Sequence, residues 1–127
     1  MGLVERFEDL RAWQEARRLA RGVYQVTSEG SFAKDFGLRD QIQRAAVSAM
    51  TNVAEGFDCD SKAEFARFLG IARRSVVEVQ SLLHMALDAS HIDRQAFDAH
   101  YAQAAKALIG GLKQSLARRR AAIIPET

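Results

Sequence analysis

Between Gln41 and Gly56 the chain reads QIQRAAVSAMTNVAEG and carries two helical stripes of different chemistry on one short element. At 100° per residue, Ile42, Ala45, Ala46, Ala49 and Val53 align as an apolar stripe. Gln41, Arg44, Ser48, Asn52 and Glu55 align as a polar stripe beside it. A surface helix needs only the first. The second repeats small and hydrogen-bonding side chains at steps of three and four, which suits a close helix contact through a polar network or a subunit seam.

The same periodicity continues on both sides. Helix one is expected over about residues 8 to 28, with Leu10, Trp13, Ala16, Ala20, Val23 and Tyr24 on its apolar side and Arg11, Arg18, Arg21 and Gln25 opposite. Ser28 to Gly37 reads as a loop anchored by Phe32 and Phe36. Helix two follows to about Phe57, and Gly56 is read as its C-terminal cap.

Helix three is announced by Ser61 and Glu64, which have the spacing of a capping box. Phe65, Leu69, Ala72, Val76, Val79, Leu83 and Ala86 form its core face, and it extends to about Asp88 or Ala89. Such a rod is about 40 Å long at ~1.5 Å per residue. Helix four opens at Asp93, with Ile92 and Phe97 spaced as a hydrophobic staple, and runs along Tyr101, Ala104, Ala105, Leu108, Leu112 and Leu116 to about Ala121. Gly110 and Gly111 weaken it. The fold class is therefore all-α, an antiparallel up-and-down four-helix bundle occupying residues 1–121, with 122–127 as a C-terminal tail. No strand pattern and no glycine-rich phosphate loop compete with it.

Composition removes several classes of function. The 127 residues are 48% hydrophobic and 27% charged, ordinary for one globular domain. No apolar run approaches the ~20 residues that span a bilayer, so no membrane role and a cytoplasmic place are expected. Cys59 is the single cysteine and is read as a reduced bystander in a polar link. His84, His91 and His100 show no HExxH-like pairing, no Glu-x-x-His step of di-iron bundles occurs, and no serine sits in a nucleophile elbow. No enzyme activity, metal or cofactor is expected.

The run GLRDQIQRAAVSAMTNVAEGF, followed by SKAEFARFLGIARRSVVEV and preceded by FEDLRAWQEA, resembles the four-helix bundle proteins encoded within intervening sequences of bacterial 23S ribosomal RNA genes. Gln41, Arg44, Ser48, Asn52, Glu55, Gly56, Phe65, Ile71, Ala72, Ser75 and Glu78 carry the resemblance, which covers about residues 7 to 90. Helix four is similar only in pattern. The chain departs from the family at Arg39, where a serine or threonine cap is usual, and at Ala49 and Met50, where isoleucine and proline are common. The resemblance implies a cytoplasmic bacterial protein that forms a homopentameric ring. It also implies kinship with the accessory protein of diversity-generating retroelements, a basic pentameric barrel that binds nucleic acid and a reverse transcriptase.

Within that frame the polar stripe has a structural explanation. Gln41, Arg44, Ser48, Asn52 and Glu55 can meet Ser75 and Glu78 on a matching secondary stripe of helix three, formed by Ile71, Ser75, Glu78 and Leu82. This network, within the subunit or between subunits, is favoured over a ligand site. Arg44 is a candidate partner for Glu55 or Glu78.

Charge points to a partner. The net charge is only +2, but its distribution is uneven. Arg11, Arg17, Arg18 and Arg21 face one acid, Glu15, and Lys106, Lys113, Arg118, Arg119 and Arg120 face one acid, Glu126. Glu55, Asp58, Asp60 and Glu64 make the link between helices two and three acidic. Arg11, Arg18, Arg21, Lys113, Arg118, Arg119 and Arg120 are the candidate contacts to an RNA or DNA backbone, which a ring would repeat in each subunit. The alternative is an assembly or adaptor protein that offers an apolar patch, with Leu19, Phe32, Phe36, Ile123 and Ile124 as candidates. A reverse transcriptase is an expected partner only in a retroelement setting.

Overall fold

The computed structural model describes residues 4–108. Four α-helices, α1 (Arg11–Thr27), α2 (Phe36–Phe57), α3 (Lys62–Asp88) and α4 (Arg94–Lys106), follow one another through short links. Among the described residues there is no strand. Helix α1 packs on α2 and α4, and α3 packs on the same two helices, which closes an up-and-down four-helix bundle. The expected course of helix four from residue 109 to Ala121, the tail, and Lys113, Arg118, Arg119, Arg120, Ile123 and Ile124 lie outside the described residues.

The boundaries follow from local chemistry. A 3-10 turn, Phe7–Asp9, precedes α1, and Leu10 between them is extended and fully buried. Helix one therefore starts later than its periodicity suggests, because Leu10 turns into a cluster with Ala12, Val53, Phe65 and Leu69. Asp35 caps α2, its Oδ1 accepting from the Leu38 amide at 3.3 Å. The cap thus sits four residues before Arg39. In α3, Ser61 Oγ accepts from the Glu64 amide at 3.1 Å, while the Glu64 carboxylate accepts from Arg67. Asp93 Oδ1 accepts from the Ala96 amide at 2.8 Å, and Ile92 and Phe97 are both buried beside this start.

The end of α3 is a Schellman turn. The His91 amide donates to the Ala86 carbonyl at 2.9 Å and the Ser90 amide to the Leu87 carbonyl at 3.0 Å. Ser90 takes the left-handed conformation, φ 63°, that glycine usually supplies. This turn aims His91 at the start of α2. Its Nε2 lies 2.9 Å from Asp35 Oδ2, its Nδ1 lies 2.8 Å from Ser31 Oγ, and its ring stacks on Phe32.

The apolar faces meet as expected for α2 and α3. Ile42, Ala45, Ala46, Ala49 and Val53 are buried, as are Phe65, Leu69, Ala72, Val76, Val79, Leu83 and Ala86. Three alanines on α2 allow close helix approach, and each large side chain buried against them contributes about 1.5–3 kcal/mol. Leu19 and Phe32 do not belong to an exposed patch: both are fully buried in the main core, Phe32 as the expected loop anchor. Tyr24, expected on the apolar side of helix one, is 50% exposed, and Phe36 is 63% exposed, as a patch candidate and not as an anchor. Phe36 is the first residue of α2 and points its ring beneath the Arg39 guanidinium, 4.8 Å away, instead of into the core.

Gly56 is also not a cap. It lies buried inside α2, whose cap is Asp58. A Cβ at Gly56 would come within 2.6 Å of Phe68 Cβ and 3.0 Å of Phe65 Cδ1, so its missing side chain lets α3 cross close to α2.

Candidate nucleic-acid interface

The polar stripe of α2 faces α3. Ser48 Oγ and Ser75 Oγ are 2.9 Å apart, and Asn52 Nδ2 donates to Ser48 Oγ at 3.1 Å and to the Ser48 carbonyl at 2.8 Å. At the other end of the stripe Gln41 Nε2 lies 3.4 Å from Glu78 Oε2. Gln41, Ser48, Asn52, Ser75 and Glu78 are thereby brought together within one subunit. Arg44 and Glu55 are not. They stand eleven positions apart on one helix, about 16 Å along its axis, beyond the reach of a direct ion pair. Both are exposed, and among the described residues neither makes an ion pair. Glu78 meets the carboxamide of Gln41 in place of Arg44.

The arginine face lies on α1. Arg11, Arg17, Arg18 and Arg21 are all exposed. Glu15 sits among them with only 4% of its surface exposed. Arg18 Nη1 approaches its carboxylate at 3.1 Å and Arg11 Nε at 3.9 Å, while Gln103 Nε2 of α4 donates to it at 2.7 Å. Burial works to raise the Glu15 carboxyl, but the Gln103 hydrogen bond and the charges of Arg18 and Lys106 outweigh it and hold the group below its ordinary value. Glu15 stays ionised and ties α4 to α1.

Two adjoining clefts flank this face and share Arg18 and Arg21. One, of about 360 Å³, is lined by Arg6, Glu8, Trp13, Gln14 and Arg17 besides the shared pair. The Arg17 guanidinium stands over the Trp13 ring, 5.5 Å from its centre, and Phe7 meets the same ring edge-on. The other cleft, of about 290 Å³, lies between α1 and α4 and is lined by Gly22, Gln25, Ala99, His100 and Gln103 with the shared arginines. Burial pushes the His100 imidazole below its usual value. A guanidinium offers up to five donors in a planar fork, so this face presents donors suited to phosphate oxygens.

The remaining candidates show different settings. His84 packs edge-on against Phe97 and Tyr101, and His91 belongs to the turn at Asp35. Among the described residues no group of three or more histidine, cysteine, aspartate or glutamate side chains is placed to hold a metal ion. Cys59 is half-buried, with its Sγ 3.4 Å from the Glu55 carbonyl.

The family model of 23S rRNA-intervening sequence proteins matches residues 8–109, a span that includes all four helices. The chain belongs to that family. Among curated proteins nothing matches it. The match to the intervening-sequence family extends through α4, where the sequence alone shows only a shared pattern.

Sequence reasoning placed Arg11, Arg17, Arg18, Arg21 and Gln25 on this stretch of helix one but named only Arg11, Arg18 and Arg21 as contacts, and it missed Arg6, Trp13, His100 and Gln103 as cleft residues. Arg17 had a signal, since it stands one turn before Arg21 on the same helix. His100 and Gln103 had none, because their approach to Glu15 and Gly22 depends on how α4 packs across α1.

Proposed function

We propose that this intervening-sequence protein is a ring-forming bundle without a catalytic role, and that its α1 arginine face holds the phosphate backbone of nucleic acid. The observation that carries the reading is the pair of clefts sharing Arg18 and Arg21, where, among the described residues, four arginines line the larger cleft against one carboxylate, Glu8. Glu15 turns inward and neutralises Arg11 and Arg18 in part, which leaves Arg17 and Arg21 as the strongest contacts. A homopentamer repeats this face five times, so modest contacts add by multivalency. A cytoplasmic setting belongs to the same reading, and no described helix is long and apolar enough to cross a membrane.

Binding of RNA and DNA measured by fluorescence anisotropy at low and moderate salt tests the reading. Affinity falls steeply with salt, as expected where phosphate contacts displace counterions. Replacing Arg17 and Arg21 together by glutamine weakens binding at least about tenfold, on the scale of two lost phosphate contacts. Absence of binding at both salt concentrations overturns it. Light scattering tests the ring, which requires a mass near five times the 14.1 kDa chain.

One observation favours an adaptor role instead. Val77 and Met85 lie about two turns apart on α3 and are 45% and 52% exposed, an apolar pair left open by the other described helices. Under that reading a protein partner remains bound after nuclease treatment, and Met85→Glu releases it.

A further inference from the structure

We propose that the cleft between α1 and α4 is a phosphate seat in which Arg18 and Arg21 supply fixed charge and His100 adds a further positive charge as pH falls. The inference rests on the reading of the α1 face as a phosphate-binding surface and names the seat and its regulation. Apart from Gly22 and Ala99, every described residue lining this cleft carries a side-chain donor: two guanidiniums, the carboxamides of Gln25 and Gln103, and the His100 imidazole. Among the described residues none of the lining carries a carboxylate. Glu15 lies behind the lining, where it positions Arg18 at 3.1 Å and the Gln103 amide at 2.7 Å without facing the opening, its side chain being 5% exposed. Arg21 makes no ion pair among the described residues.

Gly22 explains how His100 comes to be there. A Cβ at that position would stand 2.9 Å from His100 Nδ1, so the ring nests against the α1 backbone because glycine leaves the space. That burial keeps the imidazole neutral at neutral pH. The cleft wall from α1 supplies Arg18 and Arg21 beside it, with Glu15 behind them, and on α4 Lys106 lies near Glu15. The histidine of α3, His84, packs against Phe97 and Tyr101. A phosphate seated beside the imidazole favours its charged form, so protonation of His100 and phosphate binding favour each other by equal amounts.

The test uses the full chain with two probes, inorganic phosphate and a short single-stranded RNA, between about pH 7.5 and 5.5, the range in which histidine titrates. Affinity for the RNA, whose phosphodiesters keep their charge across this range, rises about tenfold toward the acid end. Inorganic phosphate takes up a proton of its own in this range, so its His100-dependent gain is read as the ratio of affinities of the unaltered protein and His100→Gln at each pH. Saturating phosphate raises the His100 titration midpoint, read by NMR of the imidazole, by about one pH unit. His100→Gln removes the gain, and any gain left in that variant measures His84 and His91. An undiminished acid gain in His100→Gln, or a His100 midpoint unmoved by phosphate in the unaltered protein, overturns the inference and leaves the α1 reading intact. Phosphate binding with a His100-dependent gain but no RNA binding supports the seat and overturns the nucleic-acid reading. Binding of neither probe overturns both.

Discussion

Ser48 Oγ lies 2.9 Å from Ser75 Oγ, a hydrogen bond that joins α2 to α3 beside the alanine-lined core. Asn52 donates to the same Ser48 oxygen at 3.1 Å, so the three side chains form one chain of hydrogen bonds. The polar stripe of α2 is thus used within the subunit, at least along its Ser48 to Asn52 stretch.

Loss of either serine disturbs a shared bond. Ser75→Ala and Ser48→Ala each lower stability by about 1 kcal/mol, the usual net value of an intramolecular hydrogen bond. The double variant loses less than the sum, with a coupling of at least about 0.5 kcal/mol because the two groups are in contact. Urea unfolding of the four proteins measures it. Strict additivity shows that the bond contributes nothing specific.

Gly56→Ala sets two effects against each other. Alanine favours a helix interior by about 1 kcal/mol over glycine. Its Cβ, however, would stand 2.6 Å from Phe68 Cβ, which is close to the α3 backbone and cannot swing away. Overpacking of this kind costs about 1–3 kcal/mol, and helix separation adds to it. A net destabilisation is expected in thermal melts. A higher melting temperature shows that the close crossing at Gly56 is not required.

Acid weakens the bundle at both ends. Glu15 is held below its ordinary value of 4.5 by Gln103, Arg18 and Lys106 against the opposing effect of burial. Asp35 is held below 3.8 by the His91 hydrogen bond and the Leu38 amide. A carboxylate whose folded value is depressed stabilises the fold above its unfolded value, and that contribution is lost as pH falls through the folded one. Stability therefore begins to decline as pH falls below the ordinary His100 value of 6.5, because burial disfavours the charged imidazole in the fold, and declines further below the unfolded values of the two carboxylates. Glu15→Gln costs about 1 kcal/mol near neutrality and almost nothing at the acid limit, which flattens the decline. Urea midpoints collected across this range decide the matter, and an unchanged acid slope in the variant rules out Glu15 as a contributor.

Much of the bundle was legible along the chain. The seven core positions of α3, the Ser61 and Asp93 caps and the Ile92 and Phe97 staple are local features, set by periodicity and by which side chain can reach a free amide. The interface was less so. Glycine at position 56 reads equally well as a cap or as a close crossing, and only the position of Phe68 on another helix separates the two. Arg44 and Glu55 share a stripe, yet their distance along the axis and their exposure keep them from pairing.

The sequence by itself determined that four amphipathic helices form, where α3 and α4 start, and that α2 carries a polar stripe next to its apolar one, because these depend on neighbours within a turn or two. Only the tertiary structure decided that Leu19 and Phe32 fill the core while Phe36 faces out, that Ser48 meets Ser75, and that Glu15, Gln103 and His100 gather around the arginines of α1. Those outcomes are set by packing between residues as far apart as 15 and 103, where no local spacing rule reaches.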